Sequence, residues 1–146
     1  MRSVSYILKS KGHQVWSIAP DKPVYDALKL MAARNIGALL VLEGDRLVGI
    51  FSERDYARKV ILKGKSSKNI PVKEIMSSEV VYVLPEQTIE DCMALMTDRH
   101  IRHLPVLEGK QLVGIISIGD VVGSIIFEQG FEIKQLETGI TGLLRG

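Results

Sequence analysis

The chain contains few aromatic residues and little excess charge of either sign. Phe, Trp and Tyr together make up 5% of its 146 residues, which is scarce material for the stacking platforms on which single-stranded nucleic acids bind. The formal net charge is +2, and the lysines and arginines are interleaved with acidic residues instead of forming a basic patch. The composition therefore argues against a nucleic-acid-binding protein.

The chain is equally poor in cysteine and in long apolar segments. Cys92 is its single cysteine, so no intramolecular disulfide can form, which is typical of a reducing compartment. The longest apolar stretch, Leu112–Phe127, is interrupted by Asp120 and is shorter than the roughly 20 residues that a membrane-spanning helix requires. The N-terminus shows no signal-peptide pattern. We therefore expect a cytoplasmic protein without a membrane partner.

The sequence does contain a tandem repeat. Residues 41–55 read VLEGDRLVGIFSERD, and residues 106–120 read VLEGKQLVGIISIGD. A shift of 65 residues places Gly49 on Gly114 and aligns the halves without a gap, with 12 identities among the 21 residues from Asn35 to Asp55. Self-similarity at a fixed period predicts a repeated supersecondary unit whose apolar face packs against its twin.

Each repeat has the pattern of a strand, a helix, two strands and a second helix, which predicts an α/β (α+β) fold. Short β-branched runs at Val15–Ile18 and Val80–Val83 predict the first strands, and apolar residues at helical spacing follow each of them. Two further runs joined by a tight EGDR or EGKQ turn predict a hairpin, because the glycine permits a positive φ. The predicted segments are an N-terminal helix (1–13), repeat 1 (14–63), a linker (64–78), repeat 2 (79–127) and a C-terminal helical tail (128–146).

A Ser-x-x-Asp motif stands in each repeat where the last strand meets the last helix. The two motifs are Ser52 with Asp55 and Ser117 with Asp120. A capping box explains them without any ligand, because a serine N-cap and an acidic N3 residue satisfy each other's backbone N–H groups. A carboxylate at this junction can also accept both hydroxyls of a ribose cis-diol, beside N–H groups that suit a phosphate. The motif alone leaves both interpretations open.

Two longer stretches resemble a pair of CBS domains, the regulatory module named after cystathionine β-synthase. They are PDKPVYDALKLMAARNIGALLVLEGDRLVGIFSERD and PEQTIEDCMALMTDRHIRHLPVLEGKQLVGIISIGD. The second is closer to the family pattern, since the first has ALLV where a proline is common. The resemblance implies two β-α-β-β-α repeats packed sheet to sheet with pseudo-two-fold symmetry. It also implies adenosyl-ligand binding in clefts between the repeats and pairing of two modules as a homodimer.

The resemblance further implies which residues line two clefts, since each cleft in this family draws on both repeats. One cleft would combine Ser117 and Asp120 with Lys22, Ala27, Ile36, Gly37 and Ala38. The other would combine Ser52, Arg54 and Asp55 with Thr88, Ile101, Arg102 and His103. The aspartates would hold ribose, Gly37 would let the backbone approach adenine, and the basic residues would face phosphates.

Other residues of chemical interest have simpler interpretations. His100 and His103 lack the further ligands that a metal site needs, so no metal is expected. Cys92 falls on the apolar face of a predicted helix and has no catalytic constellation around it. Arg34 and Arg99 are expected in solvent at helix C-termini, where the helix dipole favours them.

Together these features predict a stand-alone nucleotide sensor that is not an enzyme. The chain has no P-loop and no G-x-G-x-x-G after a strand. The expected ligand is AMP, ADP, ATP or a related adenosyl compound such as NADH or S-adenosylmethionine, with no catalytic cofactor. An unidentified effector protein would read the change of shape, since 146 residues leave no room for an effector domain. A ligand-free structural dimerisation or interaction module is the alternative.

Overall fold

The structure, a computed structural model, describes residues 2–128 and is built from short helices and strands. The helices are α1 (Val4–Lys11), α2 (Val24–Arg34), α3 (Glu53–Tyr56), α4 (Ile89–Arg99) and α5 (Ile118–Glu128). The strands are β1 (Ser17–Ile18), β2 (Ala38–Glu43), β3 (Arg46–Ser52), β4 (His103–Glu108) and β5 (Gln111–Ser117). A π-helical turn over Ala57–Ile61 continues α3, and Val72–Glu74 forms a 3-10 turn. Beyond Glu128, the predicted helical tail lies outside the described residues.

The predicted hairpins are confirmed, and the two repeats share their geometry. β2 pairs antiparallel with β3 from Ala38 opposite Ser52, and β4 pairs with β5 from the equivalent His103 opposite Ser117. The turn glycine of each hairpin has a positive φ, 62° in the first repeat and 65° in the second. The repeat in the sequence is therefore a repeat in backbone conformation, and it places both Ser-x-x-Asp motifs at the same strand-to-helix junction.

The first strand forms in repeat 1 but is much reduced in repeat 2. β1 is the parallel partner of β2, and next to it the Leu40 N–H donates to the Trp16 carbonyl at 3.4 Å. The residue equivalent to Leu40 is Pro105, which has no N–H to donate. The strand predicted over Val80–Val83 is accordingly reduced to one parallel bridge at Val83. The prediction of a full strand there is wrong, because it overlooked the proline in the neighbouring strand.

The core of each repeat is completed by the segment that precedes the other repeat. α1, which comes before repeat 1, buries Val4 and Leu8 in the core of repeat 2. The segment before repeat 2 buries Val72 and Ile75 in the core of repeat 1. α1 lies close to its sheet, since a Cβ added to Gly114 of β5 would lie 2.7 Å from Leu8 Cδ2. The two repeats therefore depend on each other for their apolar cores, and part of the expected linker is core.

The helices α2 and α4 both end in a left-handed residue, which turns the chain toward the following strand. Asn35 has φ 54° and His100 has φ 55°, and both residue types are enriched in this region of backbone space. The next N–H in each repeat, that of Ile36 or Ile101, donates to the carbonyl five residues back. These turns set the direction in which the chain enters β2 in repeat 1 and β4 in repeat 2.

Cys92 occupies the core of repeat 2, as predicted. It is fully buried on α4, and burial, followed by the nearby charge of Asp91, raises the pKa of its thiol to about 11. The thiolate is therefore scarce at neutral pH. Within residues 2–128, no helix has the length and apolar content needed to cross a bilayer.

Candidate functional site

A cleft of about 560 Å³ opens between the two repeats. Its repeat 1 wall comprises Gly37, Ala38, Ile50, Ser52, Glu53, Arg54 and Asp55. Its other wall comprises Ser77, Glu79, Val81, Arg99, His100, Ile101, Arg102, His103 and Pro105. The volume falls in the range of roughly 300–1,000 Å³ that is usual for small-molecule sites. Eight of the residues predicted to bind ligand thus line one cleft, which we call the Asp55 cleft.

Asp55 stands at the junction of β3 and α3, where a capping box holds it. Its Oδ2 accepts hydrogen bonds from the Ser52 backbone N–H at 3.0 Å and the Ser52 hydroxyl at 3.1 Å. Ser52 Oγ in turn accepts from the Asp55 N–H at 3.2 Å. The other oxygen, Oδ1, lies 3.3 Å from Lys59 Nζ. The capping interpretation of this motif is confirmed, and it uses one carboxylate oxygen while leaving the second to other partners.

Arg54 connects the two repeats across this cleft. Its Nη1 donates to the His100 carbonyl at 2.9 Å, at the C-terminal end of α4, where the helix dipole favours a cation. Arg99 and Arg102 line the same cleft, although Arg99 was expected to serve only as a solvated helix end. The acidic residues Glu53, Glu79 and Asp55 balance the three guanidinium groups in number. The cleft therefore offers cations for anionic groups and carboxylates for hydroxyl groups.

His103 adds a neutral ring to the cleft wall. Burial, followed by the positive charge of Lys11, lowers the pKa of His103 from its ordinary value of 6.5. The ring is therefore uncharged at neutral pH and can donate one hydrogen bond and accept another. A Cβ added to Gly37 would lie 3.8 Å from His103 Cε1, so the two residues adjoin at the same part of the cleft.

The other motif, Ser117 with Asp120, is not part of the lining of the Asp55 cleft. Ser117 Oγ accepts the Asp120 N–H at 3.1 Å, and Asp120 Oδ2 accepts the Ser117 N–H at 2.8 Å. The same Oδ2 lies 2.6 Å from Lys11 Nζ of α1. Burial acts to raise the pKa of Asp120, but the hydrogen bonds from Lys11 and Ser117 outweigh it and lower the pKa below 3.8. Asp120 is therefore ionised and bound to a cation of its own chain.

The remaining predicted residues are not part of the lining of the Asp55 cleft, and the grouping expected around Asp120 stays a prediction. Ala27 is fully buried in the core of repeat 1, because α2 turns that face toward the sheet, and Ile36 packs against the same core. Thr88 caps α4 through its hydroxyl. Lys22 is exposed on the surface near the 3-10 turn. Gly37 and Ala38, expected beside Asp120, line the Asp55 cleft instead.

Three cleft residues that were not predicted from the sequence are every second residue of one extended segment. Ser77, Glu79 and Val81 line the cleft, as expected for every second side chain of an extended segment. Which of the two alternating sets faces the cleft is decided by a bridge between Ser77 and Ile50 of β3, and that pairing is tertiary.

The model of the CBS domain family matches the chain twice, at residues 11–62 and 72–126. The chain belongs to the CBS-domain family. It is similar to the CBS domain-containing protein CBSX3, mitochondrial, of Arabidopsis thaliana, with 42% identity over 150 residues that span 96% of this chain and 72% of that one.

Two solved structures extend the comparison to the fold of this CBS protein. One is a protein with CBS domains from Burkholderia ambifaria MC40-6, with 52% identity, a TM-score of 0.86 and coverage of 90% of this chain and 99% of that one. Another is the hexameric CBS-CP12 protein from bloom-forming cyanobacteria, with 31% identity, a TM-score of 0.77 and coverage of 94% and 75%. The predicted fold of two tandem CBS repeats is therefore confirmed, and the protein is a tandem CBS regulatory module.

Proposed function

We propose that this CBS protein binds an adenosyl ligand in the Asp55 cleft and signals its presence to a separate protein. The ligand class comprises AMP, ADP, ATP, NADH and S-adenosylmethionine, which share adenine and a ribose. The observation that carries the proposal is the position of Asp55, whose cap orients the carboxylate beside a cleft walled by both repeats. A carboxylate fixed in this way suits the cis-diol of a ribose.

Different residues of the cleft suit the ribose, the adenine and the phosphate of such a ligand. Asp55 Oδ1 accepts from the ribose once Lys59 turns away. The Lys59 side chain is 41% exposed, and in turning away it gives up the hydrogen bond that its Nζ donates to the Ile75 carbonyl at 2.9 Å. Val81 and Ile101 supply apolar walls for adenine. Arg99 and Arg102 supply guanidinium groups for a phosphate, which they can hold through two donors each.

Binding in this cleft would bias the relative position of the repeats, because both contribute walls and Arg54 already connects them. A ligand shifts such an equilibrium only by its difference in affinity for the two shapes. An effector protein that contacts both repeats would then read the difference. The proposal does not involve catalysis.

The test is a calorimetric titration of the full chain with AMP, ADP, ATP, NADH and S-adenosylmethionine. We expect at least one of them to bind with a dissociation constant below millimolar. Failure of the whole series to bind in that range would reject the sensor function for this protein.

A ligand-free structural module is the second candidate, and the capping boxes favour it. Both Ser-x-x-Asp motifs satisfy backbone groups of their own chain, so neither needs a ligand to explain it. Thermal unfolding separates the candidates. A ligand at a hundredfold excess over its dissociation constant stabilises a sensor by about 2.7 kcal/mol, whereas the melting temperature of a scaffold stays unchanged.

We also propose that the module forms a homodimer. Ile118 and Val122 on α5 are 45% and 44% exposed, and an exposed apolar pair on one helix suits a contact with a second copy. The CBS-CP12 relative is itself hexameric. Light scattering of the wild-type chain should give twice the mass of the 16.2 kDa monomer, and Val122→Glu should reduce it to the monomer mass.

The cytoplasmic location stays a prediction, and cell fractionation tests it directly. The name of the Arabidopsis relative places that protein in mitochondria. A nucleic-acid partner is not proposed, and steeply salt-dependent binding to RNA or DNA would contradict that view.

A further inference from the structure

The 65-residue repeat gives the Asp55 cleft a counterpart around Asp120. Among the cleft residues, Ile50, Asp55, Val81 and Arg99 correspond in the repeat to Ile115, Asp120, Trp16 and Arg34. We call this region the counterpart cleft. The hairpins that end at the two aspartate motifs share their backbone geometry, whereas the first strands of the two repeats differ, as do the side chains and the segments packed nearby.

Lys11 of α1 forms an ion pair with Asp120, the carboxylate of the counterpart cleft. Its Nζ lies 2.6 Å from Asp120 Oδ2 and donates to the Ile115 carbonyl at 2.8 Å. The residue equivalent to Lys11 is Met76, which carries no charge and packs against Gly49. No cation from the preceding segment therefore reaches Asp55 within the described chain, where the ion pair of this carboxylate is to Lys59 of its own helical segment.

The apolar wall of the counterpart cleft is covered as well. The Arg34 guanidinium carbon lies 4.0 Å from the centre of the Trp16 ring, which is a close cation–π stack. In the Asp55 cleft the equivalent residues are Val81, which has no aromatic face, and Arg99. Arg99 has an exposed contact of 3.8 Å with the neighbouring Asp98. An adenine could reach Val81, but at Trp16 it would meet an arginine that already covers the ring.

Packing of α1 holds Lys11 in this position. Leu8 is 2% exposed and lies against Gly114 of β5. After the helix, His13 Nδ1 lies 2.8 Å from the Val113 carbonyl. Side chains on both sides of Lys11 thus contact β5, and this docking places the exposed Lys11 beside Asp120.

We propose that the counterpart cleft is closed by the protein's own side chains, Lys11 at the carboxylate and Arg34 over Trp16, so that each chain binds one adenosyl ligand. The identity of the ligand rests on the proposed function. A site that must first open loses affinity in proportion to the fraction of time it is open. We expect AMP to bind the counterpart cleft at least roughly tenfold more weakly than the Asp55 cleft.

The test counts AMP molecules bound per chain by equilibrium dialysis, with circular dichroism to verify folding. The variant K11M/R34M removes both closing side chains and puts at position 11 the residue found in the other repeat. The matched control K9M/K29M removes the same charge from exposed positions of the same two helices. The wild type and the control should bind one AMP, K11M/R34M should bind two, and Asp55→Asn should bind AMP about ten- to a hundredfold more weakly than the wild type.

Each outcome decides the matter. A wild type that binds two AMP, or a K11M/R34M variant that gains none, overturns the proposal. If K11M/R34M does not fold, the Asp55→Asn variant decides: one AMP still bound at wild-type affinity would place the ligand at Asp120 and overturn it. If the wild type binds none and K11M/R34M binds one, the proposed function at Asp55 fails while the closed counterpart cleft stands.

Discussion

Replacing Asp55 separates its role as a cap from its role in ligand binding. Asp55→Asn keeps an amide oxygen that can accept from the Ser52 N–H, now at 3.0 Å from the carboxylate, but removes the charge and the second acceptor. Losing a charge-assisted contact to a ribose costs roughly 1.5–3 kcal/mol, which is about ten- to a hundredfold in affinity. The free energy of unfolding should change by less than about 0.5 kcal/mol, because the amide keeps the bond from the Ser52 N–H and the lost ion pair is to Lys59, whose side chain is 41% exposed.

Asp55→Ala is the comparison variant, because it removes the capping hydrogen bonds of the carboxylate as well as its charge. It removes the carboxylate half of the capping box but keeps the hydrogen bond from the residue 55 N–H to the Ser52 hydroxyl. It should lower the free energy of unfolding by about 0.5–1.5 kcal/mol, with the same loss of affinity. Titration calorimetry with AMP gives the affinity, and urea unfolding gives the stability. The reasoning is refuted if Asp55→Asn binds AMP as tightly as the wild type, since the aspartate would then serve its backbone alone.

Three further predictions follow from the described residues. Because burial and the Lys11 charge lower the pKa of His103 in the folded state, the unfolded chain takes up this proton first. The free energy of unfolding should therefore fall as the pH drops below 6.5, and His103→Gln should flatten this dependence in urea titrations at several pH values. Gly114→Ala should lower the free energy of unfolding by about 1–3 kcal/mol, because its Cβ would lie 2.7 Å from Leu8 Cδ2. The exposed turn residue Lys110 gives a control variant, Lys110→Ala, that should leave chemical unfolding unchanged, and equal stability of both variants would contradict the packing described. With its pKa raised to about 11 by burial and then Asp91, Cys92 should resist alkylation at pH 8 until urea unfolds the chain. Mass spectrometry measures the label, and rapid modification of the native protein would show that the thiol is accessible.

Much of the architecture was predictable from the sequence because it depends on local chemistry. The hairpin glycines Gly44 and Gly109 and the serine caps each act over a few residues, and the 65-residue period repeats them. The structure contains all of them. The length of the first strand of repeat 2 was mispredicted although its cause, Pro105, is also in the sequence. That cause lies in a neighbouring strand, so it acts only once the register is known.

The two Ser-x-x-Asp motifs were equivalent in the sequence, and only the tertiary structure made them different. The repeat determined that Asp55 and Asp120 would each cap a helix at the end of a strand. Docking of α1 on β5 brought Lys11 to Asp120 across 109 residues of chain, whereas the uncharged Met76 stands at the equivalent place before repeat 2. A local motif specifies its own backbone hydrogen bonds. Which charged side chain pairs with its aspartate depends on which distant segment packs beside it in the apolar core.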